Sequence, residues 1–152
     1  MKFLNNAVLS VFARPAEEDA AAIKKALIEL VPLDLAQEKI AVEQQSAEGF
    51  SDQKIHIYTI MLTKTAHTNA FLKGLLNRLT TEQKEQLLDQ RESRLDNELH
   101  FFIRFDKSAW LNNRELIITD AGNCFHVKLQ LAAFPARRPD ALLLVEKIFK
   151  PE

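Results

Sequence analysis

The residues best placed to do chemistry lie in the segment 96–107, where polar side chains alternate with large apolar ones before an Arg-Phe-Asp-Lys tetrad. Successive side chains of a β-strand point to opposite faces of its sheet, so this alternation sorts the segment into two faces. The apolar face carries Phe101, Ile103 and Phe105. The other face carries His100, Phe102, Arg104 and Asp106. A face that combines an imidazole, a ring, a guanidinium and a carboxylate suits a ligand that is both charged and able to stack.

Three further predicted strands add histidines, cations and aromatic rings to this polar face. They contribute His56 and Tyr58 from residues 54–62, His126, Lys128 and Gln130 from residues 124–132, and Ser10, Phe12 and Arg14 from residues 7–14. Rings interleaved with cations on an open sheet are typical of modules that bind single-stranded RNA, where each stacked base contributes about 1–3 kcal/mol. The alternative is an ordinary solvated face, or one covered by a partner subunit, because half-exposed antiparallel sheets always carry a polar face.

The composition is that of a globular protein without a global charge bias. At 152 residues the chain is long enough for a sizeable core, and we expect one domain over residues 1–152. Twenty basic against 21 acidic side chains give a formal net charge of −1, so nucleic-acid binding would need a local basic patch. With only three glycines, the sequence has no glycine-rich phosphate loop, which argues against a nucleotide-dependent enzyme.

The cysteine count and the apolar runs bear on the compartment. The single Cys124 excludes an intramolecular disulfide and fits a reducing cytosol, where we expect it to be a structural thiol. The polar Asn5-Asn6 pair interrupts the N-terminal apolar residues before they could form a signal peptide. No apolar run approaches the roughly 20 residues of a membrane span. The sequence therefore predicts a soluble, cytoplasmic protein with no membrane partner.

The periodicity of apolar residues predicts the elements that hold the polar face. Strands are predicted at 7–14, 39–45, 54–62, 99–106, 115–119 and 124–132, with a turn at Gly49 after the second. Helices are predicted at 15–31, from 63 or 65 to 79, at 80–91, where Thr80 and Gln83 form a capping box, and at 140–149. Strands in adjacent runs predict an α+β fold, with one mainly antiparallel sheet of about six strands and helices packed on one face.

Other sets of polar residues favour structure over chemistry. Asp96, Glu98 and His100 alternate at the start of a strand and could hold Mg²⁺ with Asp106, but an acidic strand entrance that pairs with neighbouring arginines is favoured. The four histidines have no spacing diagnostic of zinc, and the serines lie in no nucleophile elbow. The sequence therefore predicts no catalytic residue, no metal, no cofactor and no enzyme activity.

The chain also resembles a known family. Residues 98–109, 114–116, 118–120 and 125–128 are similar to an archaeal RNA-binding family described as predicted exosome subunits, and the tetrad at 104–107 is the distinctive part. The chain departs from that family at Ala16, where its first helix tends to open with Thr-Glu-Asp, and at residues 51–55, where a Gly-Asn-Pro-Ile-like turn is usual. The resemblance implies a fold like the fifth large-subunit ribosomal protein, with an RNA-facing surface.

Together, the polar face and the resemblance predict a non-catalytic RNA-binding protein linked to RNA processing or decay. The phosphate contacts are assigned to Arg104, Lys107, Lys128 and Arg14, the hydrogen bonds to His100 and His126, and the stacking contacts to Tyr58 and Phe102. The rival prediction is a protein-interaction module without an RNA role. In that case a homodimer would bury the His100/Arg104 face or the helix that carries residues 142–144. An RNA-processing complex is the partner expected of an RNA-binding protein.

Overall fold

The computed structural model describes residues 1–48 and 53–151. In chain order its elements are β1 (Leu4–Ala13), α1 (Ala20–Glu29), β2 (Val42–Glu48), β3 (Lys54–Leu62), α2 (Thr65–Arg78), α3 (Thr81–Asp89), α4 (Arg91–Arg94), β4 (His100–Asp106), α5 (Lys107–Asn113), β5 (Cys124–Leu131) and α6 (Arg138–Phe149). The strands form one antiparallel sheet in the order β2-β3-β1-β5-β4. The predicted α+β class is therefore confirmed.

The described residues fall into two compact units. The first unit comprises Met1–Ala7, Leu62–Ile103 and Lys128–Glu152, and it contains α2, α3, α4 and α6. The second unit comprises Val8–Met61 and Arg104–Val127, and it contains α1 and α5. That residues 1–152 form one domain remains a prediction. Among residues 1–48 and 53–151, no helix is long and apolar enough to cross a membrane.

The alternation predicted for three strands is confirmed. Every second side chain is buried in β1, β4 and β5, namely Ala7, Leu9, Val11 and Ala13, then Phe101, Ile103 and Phe105, then Phe125, Val127, Leu129 and Leu131. The side chains on the other side of these strands are at least partly exposed, except the first residue of each strand, which is buried. Burying one side of each strand stabilises the fold by about 25 cal/mol for each Å² of apolar surface removed from water. It also fixes which residues face the solvent.

Two elements begin later than the sequence predicts. Residues 15–18 form a turn, in which the backbone N–H groups of Glu17 and Glu18 both donate to Arg14 O, and α1 starts at Ala20 after Asp19 caps Ala22 N. The predicted second strand begins at Val42 because Lys39 has a left-handed φ of 57° that cannot continue a strand. The predicted turn at Gly49 lies outside the described residues.

The segment after β4 differs most from the prediction, which had a linker and then a strand at 115–119. Asp106 accepts a hydrogen bond from Ala109 N and so starts the short helix α5, which ends at Arg114 in a left-handed conformation. Trp110 of α5 donates from its ring Nε1 to Ala26 O at 2.8 Å and so fixes α5 to α1. The predicted strand reduces to a single bridge between Phe105 and Ile118.

The remaining helices match the sequence closely. Thr80 and Gln83 make the predicted capping box at the start of α3, each side chain accepting from the other's backbone N–H. Helix α6 begins at Arg138, two residues before the predicted start, because its first turn accommodates Pro139.

Candidate functional site

The second unit holds a cavity of about 220 Å³ that opens on the half-exposed side of its strands. It is lined by residues of β1, β3 and β5 together with the last part of β4 and the turn before β5. These are Ser10, Val11, Phe12, Ile57, Arg104, Gly122, Cys124 and His126. We call this the Arg104 cavity. It combines a cation, an aromatic ring, an imidazole and a hydroxyl.

Arg104 is exposed and is the one arginine or lysine in the described lining of this cavity. Its backbone is held in place because Thr119 N donates to Arg104 O at 2.9 Å, and its Nη1 donates to Asp120 O at 3.2 Å. A guanidinium has five N–H donors in a planar fork, and no other partner of this side chain is found among the described residues. Arg104 is therefore oriented but retains donors for a ligand.

Phe12 and Arg14 lie next to each other at the end of β1. The Arg14 guanidinium carbon is 5.1 Å from the centroid of the half-buried Phe12 ring, within the range of a cation–π contact. The Arg14 backbone N–H donates to Glu18 Oε1 at 2.9 Å, which fixes the chain where it leaves the strand. Both predicted residues thus lie at the same end of the second unit's half-exposed side.

Lys107 does not face the solvent, which argues against the phosphate contact that the sequence predicts for it. Its side chain is 3% exposed, and its ammonium donates to Phe12 O at 2.7 Å and to Asn123 Oδ1 at 3.2 Å. It forms an ion pair with Glu18 Oε2 at 3.0 Å and lies 4.6 Å from the Phe12 centroid. If β4 continued past Asp106, its alternation would also place residue 107 on the buried side, together with Phe105.

Tyr58 is also buried, at 4% exposure, so its predicted place on the open face is wrong. Buried positions in β3 are Tyr58, Ile60 and Leu62, which puts His56 on the same side of the strand. Ile57, on the other side of β3, lines the Arg104 cavity. Alternation alone left the two sides of β3 undecided, because isoleucine, tyrosine and histidine all tolerate partial burial.

His100 is the third predicted contact that proves to be buried. In the first unit, its Nδ1 lies 3.2 Å from Asp96 Oδ2, and its backbone N–H donates to Asp96 Oδ1 at 2.8 Å. Burial alone would raise the pKa of Asp96, but the N–H groups of His100 and Glu98 and the His100 ring outweigh it and hold that pKa below its ordinary value of 3.8. The pair closes the turn that leads into β4.

The first unit presents a smaller aromatic and basic group. The Lys128 ammonium lies 6.0 Å from the centroid of the half-buried Phe102 ring, and the His100 ring lies 6.3 Å from it. Gln130, two residues further along β5, accepts from Asn6 Nδ2 at 2.8 Å. We call Phe102 and Lys128 the Phe102–Lys128 pair. Both lie on the side of their strands that the sequence predicts.

The described residues contain no group of three or more His, Cys, Asp or Glu side chains that could hold a metal ion. Asp96 Oδ2 lies 3.2 Å and Glu98 Oε2 lies 3.8 Å from His100 Nδ1, so both carboxylates interact with the histidine ring. Of the set that the sequence offered for Mg²⁺, Asp96 and Glu98 thus lie near one ring nitrogen of His100, while Asp106 caps α5.

Sequence reasoning missed two parts of the site. Cys124, which was expected to be a structural thiol, and Ile57 both line the Arg104 cavity, and neither was predicted as a contact. The buried contacts of Lys107 were missed as well, and one signal could have found them. Asp106 followed by Lys107, Ser108 and Ala109 is a helix N-cap sequence, which predicts that the strand ends there.

Comparison with known proteins shows the family and the fold to which the chain is similar. A family model described as RNA binding matches residues 6–131. An RNA-binding protein of Pyrococcus abyssi is 25% identical over 138 residues, which are 90% of this chain and 88% of that protein. A crystal structure of a protein from Archaeoglobus fulgidus has a TM-score of 0.83 and 25% identity, and covers 95% of this chain and 99% of its own. A structure from Methanothermobacter thermautotrophicus shares the fold, with a TM-score of 0.76 and 22% identity over 97% of this chain and 99% of its own.

Proposed function

Because the chain belongs to this RNA-binding family, we propose that it binds RNA through the Arg104 cavity. The observation that carries the proposal is the position of Arg104, which is exposed, fixed by Asp120 O and still has donors for a ligand. Phe12 and His126 line the same cavity. A cation beside a ring and an imidazole matches what RNA requires, namely a counter-charge for phosphate and planar or hydrogen-bonding groups for a base.

The size of the cavity favours an unpaired base over a larger ligand. At about 220 Å³ it lies below the roughly 300–1,000 Å³ of small-molecule pockets. Proteins that read RNA by sequence mostly do so on single strands, whose unstacked bases can turn out into such pockets. We place one base in the cavity, near the Ser10 hydroxyl and the His126 imidazole, and a phosphate at Arg104. Arg14, held against the Phe12 ring, supplies the second cation.

The charge of the chain sets the expected strength of binding. A formal charge of −1 gives no long-range attraction to RNA, so the affinity depends on a few local cations. Each cation that contacts phosphate on a single strand contributes about 0.7 to the slope of log K against log salt. We therefore expect modest affinity that weakens with added salt, with the small slope of a few phosphate contacts.

The Phe102–Lys128 pair of the first unit is proposed as a separate contact. The ring and the ammonium are both partly exposed and lie 6.0 Å apart. The pair can therefore offer a stacking surface and a phosphate partner together. Its contribution is measured with the Lys128→Ala substitution, independently of the Arg104 cavity.

The proposal is for binding without catalysis. The described lining of the Arg104 cavity includes no carboxylate that could act as a general base or hold a metal. Prolonged incubation with RNA and Mg²⁺ should therefore leave the RNA at full length. The further link to RNA processing or decay, to an exosome and to the ribosomal-protein fold rests on the family resemblance alone. Sequencing the RNA that is crosslinked to the native protein tests the processing and decay link.

The central experiment measures binding of a short fluorescent single-stranded RNA by anisotropy between about 50 and 200 mM salt. Arg104→Ala should weaken binding and lower the salt slope by about 0.7, and the Arg104→Ala/Lys128→Ala double variant should lower it by about 1.4. Arg78→Ala, which removes an exposed arginine at the end of α2, is the matched control. It should bind as the wild-type protein does.

Two outcomes would contradict the proposal. One is a wild-type protein that shows no salt-sensitive RNA binding at the lower salt concentration. The other is an Arg104→Ala variant that binds no worse than Arg78→Ala. A wild-type protein that fails to bind RNA and scatters light as a dimer would favour the interaction module instead. The exposed Leu143 of α6, at 63% exposure, is then the first residue to substitute.

A further inference from the structure

The first unit contains a second and larger cavity, of about 420 Å³, which none of the preceding functions uses. Its walls come from the residues before β1, from α2 and α3, and from the C-terminal end of α6. Its volume falls within the roughly 300–1,000 Å³ that small-molecule sites occupy.

Three lysines line this cavity: Lys73, Lys84 and Lys150. Among the described residues, no hydrogen bond or ion pair is found for the ammonium group of any of them, and the described lining contains no carboxylate. Ammonium groups that share a cavity without a counter-charge repel each other, and a bound anion would remove that repulsion. A phosphomonoester, with nearly two negative charges at neutral pH and three oxygen acceptors, suits three lysines better than a single carboxylate does.

The rest of the lining fits the organic part of such a ligand. Phe3 and Leu72 supply an aromatic and an aliphatic side chain, against which a planar ring can pack. Asn69 also lines the cavity, and its Nδ2 donates to Met1 O at 3.1 Å. Its Oδ1 is buried and has no donor among the described residues. Burial without a partner is costly for an acceptor, so a ligand hydroxyl or amino group that reached this atom would stabilise the complex.

We propose that this cavity binds a nucleoside monophosphate, as a free nucleotide or as the phosphorylated end of an RNA chain. The lysines hold the phosphate, and the side chains of Phe3 and Leu72 pack against the base. A lipid or fatty acid is disfavoured because half of the lining is lysine and asparagine. The inference does not rest on the proposed RNA contact at Arg104, since a free nucleotide can bind here whether or not RNA binds there.

The test is isothermal titration of the full chain with AMP, with adenosine as the ligand that lacks the phosphate. An Arg104→Ala background removes any contribution from the Arg104 cavity. We expect AMP to bind at least about tenfold more tightly than adenosine, and Lys73→Ala and Lys84→Ala each to weaken AMP about tenfold, as charge-assisted hydrogen bonds do. Lys64→Ala, which removes an exposed lysine at the N-cap of α2 outside the cavity, should bind AMP normally.

The proposal is overturned if AMP does not bind, if adenosine binds as well as AMP, or if the two cavity lysines behave like Lys64. A second titration identifies the source of the phosphate, using short RNAs that carry either a 5′-phosphate or a 5′-hydroxyl. Tighter binding of the phosphorylated RNA, lost in Lys73→Ala, supports recognition of an RNA end. Equal binding of the two RNAs, together with tight AMP binding, supports recognition of a free nucleotide.

Discussion

The Arg104 cavity and the buried contacts of Lys107 use the same kinds of group for opposite purposes. In the cavity, the Arg104 guanidinium donates to one backbone carbonyl, Asp120 O, and keeps its remaining donors toward solvent. At the buried site, the Lys107 ammonium donates to Phe12 O and Asn123 Oδ1, and pairs with Glu18. Phe12 takes part in both places, since its ring lines the cavity and lies 4.6 Å from the Lys107 ammonium.

Arg104 and Lys107 show how two cations three residues apart can differ, one exposed and the other buried in the fold. β4 ends at Asp106 and α5 begins at Lys107, so the chain changes direction between the two cations. Arg104 stays on a strand whose alternation points it outward. Lys107 enters a helix that lies against α1, and its long side chain reaches the end of β1. Burial with full pairing stabilises the fold, whereas exposure with spare donors leaves a cation available for binding.

The largest expected effect separates these two roles by stability. Lys107→Met removes the ion-pair partner of Glu18 Oε2 and the donor to Phe12 O and Asn123 Oδ1, while Glu18 Oε1 keeps the Arg14 N–H. Breaking a buried ion pair usually costs about 3–5 kcal/mol. Because Glu18 keeps 26% of its side chain exposed, we expect about 3 kcal/mol, at the lower end of that range. Urea unfolding followed by circular dichroism measures the change in the free energy of unfolding.

Arg104→Ala is the matched substitution for this comparison. It removes an exposed cation, so the free energy of unfolding should stay within about 0.5 kcal/mol of the wild-type value. A loss of less than about 1 kcal/mol in Lys107→Met, or an equal loss in the two variants, would show that the buried contacts are not structural. In the double variant Lys107→Met/Glu18→Gln, part of the loss should be recovered because no charge remains unpaired.

The strands of the sheet were predictable from sequence because their burial follows a period of two. Phe101, Ile103 and Phe105 lie on one side of the strand and are buried together. A shift of one residue in the strand register would expose all three side chains. The start of β2 was not predictable in this way. It depends on the left-handed φ of Lys39, an uncommon conformation for a residue other than glycine, asparagine or aspartate.

The site was less predictable, because exposure depends on tertiary partners that lie far away in the sequence. Lys107 is buried by Phe12, which is 95 positions earlier, and by Glu18. His100 is buried with Asp96, a local partner that sequence alone could not distinguish from a metal ligand. Residue type thus identified Arg104, Arg14 and Lys107 alike as candidate cations, but it could not show that Lys107 is buried and the other two are not.

A smaller effect is expected at the residue that changes the chain from strand to helix. Asp106 caps α5 by accepting from Ala109 N at 2.9 Å. Asp106→Ala should cost about 1 kcal/mol in the free energy of unfolding, as the loss of an N-cap usually does. Asp106→Asn keeps an oxygen acceptor and should recover most of the loss. If alanine and asparagine behave alike, then the cap does not decide where β4 ends.

The acid dependence of stability should reveal the buried side of the comparison. Burial alone would raise the pKa of Glu18, but the Arg14 N–H and the Lys107 ammonium hold it below its ordinary value of 4.5. A lowered pKa in the folded protein stabilises the fold above pH 4.5, and this stabilisation is lost as the pH falls through the folded pKa.

Glu18→Gln should therefore reduce stability at neutral pH and flatten the decline below pH 4.5, as thermal unfolding across a pH series would show. Part of the decline should remain in the variant, because the N–H groups of His100 and Glu98 lower the pKa of Asp96 against its burial. A variant whose acid decline is as steep as that of the wild-type protein would contradict the pairing of Glu18 with Lys107.

The smallest effect is expected at the Arg104 cavity, and it is measured as a reaction rate. Cys124, the single cysteine, lines the Arg104 cavity at 5% exposure. Burial raises the pKa of its thiol above the ordinary 9.0, although the charges of Arg104 and Lys107 oppose the rise. Because the thiolate is the reactive form, alkylation by iodoacetamide should be slow at neutral pH and should accelerate as the pH increases.

RNA bound in the cavity should slow the reaction further, which mass spectrometry of the alkylated protein would measure. Alkylation that proceeds equally with and without saturating RNA would place the RNA away from this cavity, even if Arg104→Ala weakens binding.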